Sequence, residues 1–184
     1  MRMVPRAFAA LALLLAIAAP ALADHLTEAQ QAALTERVES FDAAMRESDM
    51  QEVMGVVPPK VLDKIAAKSG LSVDDLLAAM QTQMDEIIGT VKIESFGMDL
   101  EGVEYTALDS GIVYGMIPTE TVIDLGAEGG GKMRATSQTL GLLDGDTWYL
   151  VRIDDAAMAA IIKDVYPEFA DVEFPAGTVE PVTE

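Results

Sequence analysis

The chain has 184 residues, with 12 Lys and Arg against 31 Asp and Glu, a formal net charge of −19, no cysteine and one histidine. That length suits one domain, and a hydrophobic content of 51% supports a packed core rather than a disordered chain. The composition excludes disulfides, thiolate metal sites, multi-histidine metal sites and a Ser-His-Asp triad inside the fold, and the negative charge argues against nucleic acid and anionic membranes as partners.

Arg2 and Arg6 open the chain, Ala7 to Ala19 is an unbroken apolar run, Pro20 breaks it, and Ala21-Leu22-Ala23 supplies small residues at a cleavage site. This is the plan of a secretory signal peptide over residues 1–23. The run is shorter than the ~20 residues of a membrane-spanning helix, so no membrane insertion is expected once the segment is removed. A bacterial periplasm is the expected destination, with release from the cell as the alternative. Cleavage would place Asp24-His25 at the new amino terminus, where amine, amide and imidazole nitrogens can chelate Cu(II). A solvated histidine in a frayed end is the simpler reading of His25.

From Thr27 to about Ser48, Leu34, Val38, Phe41 and Met45 recur on one helical face, and Thr27 with Gln30 reads as a capping box. Met50, Val53, Met54 and Val57 continue the apolar signal until Pro58-Pro59 ends it. Val61, Leu62 and Ile65 mark a short helix closed at Ser69-Gly70. Ser72 caps the next helix, whose expected buried stripe is Leu76, Leu77, Met80, Met84, Ile87 and Ile88.

After Gly89 the period changes to two. Strands are expected over residues 91–95, 102–108, 112–117, 119–125, 132–142 and 148–153, with Pro118 as a bend or strand boundary. Asp109-Ser110-Gly111 and Asp144-Gly145-Asp146 are turn signals. Asp155 caps a short helix to Val165, and residues 168–184 read as a loosely attached acidic tail. Helices first and antiparallel strands afterwards define an α+β domain over residues 24–167: amino-terminal helices packed on a curved antiparallel sheet of five or six strands, then a short carboxy-terminal helix and the acidic tail.

This order, closing on the Gly145–Ile153 strand with its Trp148, resembles the nuclear-transport-factor-2-like cone fold, which includes ketosteroid isomerase. The resemblance covers residues 28–153 and implies helices closing a strongly curved sheet around a pocket. The fold hosts enzymes, binders and assembly modules alike. An isomerase or lyase of this kind works with a buried carboxylate and a tyrosine, for which this chain offers Asp99, Asp124, Tyr105 and Tyr114. The dehydratase branch uses a His-Asp pair, and His25 precedes the fold.

The remaining clusters have structural explanations. Gly129-Gly130-Gly131-Lys132 lacks the hydroxyl residue of a phosphate loop and reads as a hairpin. Asp74/Asp75 and Asp154/Asp155 sit at helix starts, where carboxylates cap backbone donors. Methionines follow helix faces and strand interiors, as adaptable core filler rather than a Cu(I) cluster. In a cone, Met98, Met116 and Met133 would line the pocket, with Ser137 and Thr139 as hydrogen-bonding groups inside it. No cofactor is implied. The expectation is an exported, non-catalytic domain that binds a small apolar molecule or an exported protein, with a homodimer, a cone-fold enzyme and an accessory subunit of an exported complex as the other readings.

Overall fold

The computed structural model describes residues 26–47, 49–88, 91–126 and 131–182. Helix α1 (Glu28–Glu47) starts at the expected capping box: Gln30 N donates to Thr27 Oγ1 at 3.2 Å, and Thr27 N donates back to Gln30 Oε1 at 3.0 Å. Asp49 caps the short α2 (Met50–Gly55). Pro59 occupies the first turn of α3 (Pro59–Ser69), where a missing N–H costs nothing, and Gly70 ends it at φ 69°. Ser72 Oγ accepts from Asp75 N at 3.1 Å and opens α4 (Val73–Ile88).

The strands are β1 (Lys92–Met98), β2 (Tyr105–Ala107), β3 (Val113–Asp124), β4 (Lys132–Asp144) and β5 (Thr147–Ile153). Then come α5 (Ala156–Val165), capped by Asp155, a 3-10 turn (Pro167–Phe169) and β6 (Thr178–Pro181). Together they form a strongly curled antiparallel sheet, a half-barrel packed with helices. The long β3–β4 hairpin is its spine. On β3's outer edge, β2 pairs with residues 113–115 and β1 with residues 119–124. On β4's outer edge, β5 pairs with residues 138–144 and β6 with residues 133–136.

Two expectations are corrected here. Residues 113–124 form one strand, not two split at Pro118. Pro118's carbonyl accepts from Asp99 N at 2.9 Å, on the side away from β4. Its missing N–H points the same way, so the β4 ladder loses no bond. The segment after Pro167 is no loose tail. Phe169 is fully buried, Val172 and Phe174 pack beside it, and β6 extends the sheet. The proline and acid content of this stretch suggested a tail, and its apolar residues follow no regular period that would have argued otherwise.

Both faces of the sheet are covered where β2 and β5 flank the spine. One face carries Ile117, Leu143, Trp148 and Leu150 against Leu34 of α1 and Val56. Trp148 is 3% exposed, and its Nε1 donates to Gln30 O at 2.9 Å while Arg37 Nε donates to Trp148 O at 3.1 Å. The other face carries Leu140, Leu142, Val151 and Ile153 against Val61 of α3, Ile161 and Ile162 of α5, and Phe169. Full burial of such side chains contributes ~1.5–3 kcal/mol each.

Candidate functional site

Strand alternation sorts the named site residues between the two faces. The register pairs Thr119 with Ser137, Ile117 with Thr139, Thr121 with Ala135 and Ile123 with Met133. From β1, Met98 pairs with Thr119 and Phe96 with Thr121. Met98, Met133, Ser137 and Thr139 therefore share the face on which α1 packs, together with Thr119, Thr121 and Phe96. Phe41 of α1 meets Phe96 with ring centroids 5.6 Å apart. Met116, expected beside them, lies on the opposite face with Leu140 and Phe169. The twofold strand period separates it: 116 is even where 117, 119 and 121 are odd.

The buried polar side chains among the described residues are Thr119, Thr121, Ser137 and Thr139, all on this one face. Thr119 Oγ1 donates to Ile117 O at 3.1 Å and contacts Thr139 Oγ1 at 2.7 Å. A hydroxyl has one proton, so Thr139 is the donor of that second bond. Ser137 Oγ accepts from Arg152 Nε at 3.0 Å, and Arg152 also binds Asp154 at 2.7 Å. Thr121 Oγ1 is buried with no partner. A buried hydroxyl without a partner costs ~1–3 kcal/mol, so each such orphan calls for an explanation. Hydroxyls do not titrate near neutrality, so this row can orient a ligand but not carry protons. Sequence reasoning found Ser137 and Thr139. It missed Thr119 and Thr121, although their odd spacing opposite Ser137 was the available signal.

The carboxylates and tyrosines named for catalysis do not form a pair. Asp99 accepts from Glu101 N at 2.9 Å and Asp124 from Gly126 N at 2.8 Å, each closing its own turn. Tyr105 lies on the α1 face, edge-on to Trp148 at 6.1 Å, and burial pushes its phenol up. Tyr114 lies on the other face, edge-on to Phe169 at 5.0 Å. The tyrosine that meets a carboxylate is Tyr166, whose hydroxyl donates to Asp144 at 3.4 Å, while Lys60 binds the same carboxylate at 3.1 Å. Burial, then the Asp144 charge, drives the Tyr166 phenol strongly up. This cluster ties α3, the β4–β5 turn and the end of α5 together.

A depression of about 540 Å³ lies where β1, β3 and β4 meet, and Met98, Thr119 and Ser137 are among the residues that line it. Pro118, Glu120, Thr136 and Gln138 floor it, and Gly97 leaves open space above β1. Arg134 pairs with Glu120 at 3.2 Å beside it. Among the described residues no three His, Cys, Asp or Glu side chains converge as a metal site, and no helix is long and apolar enough to cross a membrane. Asp74 and Asp155 sit in or before the first turns of α4 and α5, with Asp155 accepting from Met158 N at 2.9 Å. A strand follows Gly131, as a hairpin requires. His25 and residues 127–130 lie outside the described residues. No family model, curated protein or solved structure matches the chain.

Proposed function

We propose that this chain is an exported, non-catalytic binding module that holds a small, largely apolar ligand against the hydroxyl row of its curled sheet. The observation that carries the reading is the confinement of four buried hydroxyls to one sheet face, with Thr121 Oγ1 left without a partner. Phe96, Met98, Ala135 and Met133 give that row an apolar frame. A ligand with one polar group would satisfy Thr121 and lie along the frame, in the manner of the cone folds the sequence resembles.

The test uses the chain lacking residues 1–23 and N-phenyl-1-naphthylamine, an apolar fluorophore with one N–H. The expected result is saturable binding at one site, weakened roughly two- to tenfold by Thr121→Val, the effect of one lost hydrogen bond. Binding that is absent, or unchanged in Thr121→Val and Thr119→Val, overturns the ligand site. Export is tested separately by amino-terminal sequencing. A mature chain starting at Asp24 supports it, and an intact Met1 in the membrane fraction overturns it.

A further inference from the structure

The sequence pattern of α4 asks for a buried stripe, yet Leu76 alone of its described residues is buried, at 7% exposure. Leu77, Met80 and Met84 remain half-exposed. Between α2, α3 and α4 runs a groove of about 570 Å³, floored by Met54, Leu62, Leu77 and Met80 and rimmed by Gln51 and Gln81. It shares no residue with the hydroxyl row. Gly55 opens it further, since a Cβ there would meet nothing within 4 Å. We propose that this groove docks an amphipathic helix of a partner protein, with basic residues flanking its apolar face.

Apolar anchors at helical spacing fit such a groove, and thioethers let its floor adjust to them. Charge selects the partner. Neither α2 nor α4 carries a basic residue, while Glu52, Asp74, Asp75, Asp85 and Glu86 lie on them; the lysines of α3 recur every four residues on the stripe away from Leu62, where Lys60 pairs with Asp144 and Lys64 with Asp164. Asp74, Ala78, Gln81 and Asp85 fall on one helical stripe, so exposed carboxylates stand at both ends of the groove's α4 wall. Eleven residues of helix separate them by ~16 Å, three turns of a docked helix. A second copy of this chain would bring the same carboxylates to the same place, and like charges would oppose the contact.

The experiment measures fluorescence anisotropy of a labelled 18-residue leucine-lysine amphipathic helix against the chain lacking residues 1–23, with the leucine-glutamate analogue as control. The lysine peptide should bind saturably and the glutamate peptide should not. Gly55→Leu, which fills the groove, and Met80→Gln should each weaken binding at least tenfold without changing charge, while both variants keep the wild-type melting temperature within a few degrees. Asp74→Asn with Asp85→Asn should weaken it several-fold. Absence of binding overturns the proposal. So does binding that both groove variants leave intact, because attraction to the acidic surface alone would then account for it. A dimer of the chain by itself, abolished by Gly55→Leu, also overturns it by giving the groove to a second copy.

Discussion

The two ends of the β3–β4 hairpin share their strands and differ in their surroundings. Where β2 and β5 flank it, helices cover both faces, and Ile117, Leu140 and Leu142 are fully buried. Where β1 and β6 flank it, Ile93 is 42% exposed and Val179 66%. Alternation of side chains is the same at both ends, so the pattern of the strands does not decide their burial. The covering helices do, and the buried hydroxyls lie between the two regimes. One half of the sheet is stability and the other is available surface.

Truncation at the covered end should have the largest effect. Trp148→Ala and Phe169→Ala should each cost ~3–5 kcal/mol in urea denaturation, because each leaves a large cavity. Ile93→Ala, at the other end, should stay within ~0.5 kcal/mol. If the three variants unfold alike, the contrast between the ends is lost. Gly115→Ala comes next. A Cβ at that position would lie 2.8 Å from the Tyr105 ring and 2.9 Å from Val103, so overpacking should cost ~1–3 kcal/mol. Thr121→Val at the boundary should raise stability by ~1 kcal/mol while it weakens ligand binding, because the orphaned hydroxyl is removed. A loss of stability would mean that the hydroxyl has a partner in solution.

The smallest effect belongs to Glu94 at the exposed end. Hydrogen bonds from Lys92 and then Lys132 hold its carboxyl below the ordinary value of 4.5. A depressed carboxyl stabilises the fold fully above its unfolded value, and that contribution disappears as pH falls through the folded value. An NMR titration should give a midpoint below 4.5, and Lys132→Ala should move it upward. A midpoint unaffected by Lys132 would show that the pair does not persist in water.

Helix caps were readable because they depend on neighbours in the chain. Thr27 with Gln30, Ser72, Asp155 and Gly70 all act as their sequence positions suggest. Features set by distant partners were not. Nothing local distinguishes Phe169 in the core from a residue in a tail, because its burial depends on Tyr114 and Tyr166 packing around it. The candidate site was half visible for the same reason. Ser137 and Thr139 stood out on β4, whereas Thr119 and Thr121 enter only once the register sets β3 beside it. Met116 was misassigned because methionine type alone does not tell which face a residue occupies.

The docking of residues 167–174 has a consequence in time. Synthesis runs from the amino terminus, so the helices and the strands β1 to β5 are made before Phe169, Val172 and Phe174 can complete one layer of the core. Until then α5 and its strands lack a wall, and the half-made domain stays open to chaperones and to any machinery that handles unfolded chains. A chain cut just before Phe169 would keep α5 and every strand from β1 to β5, yet lack the side chains that close that layer.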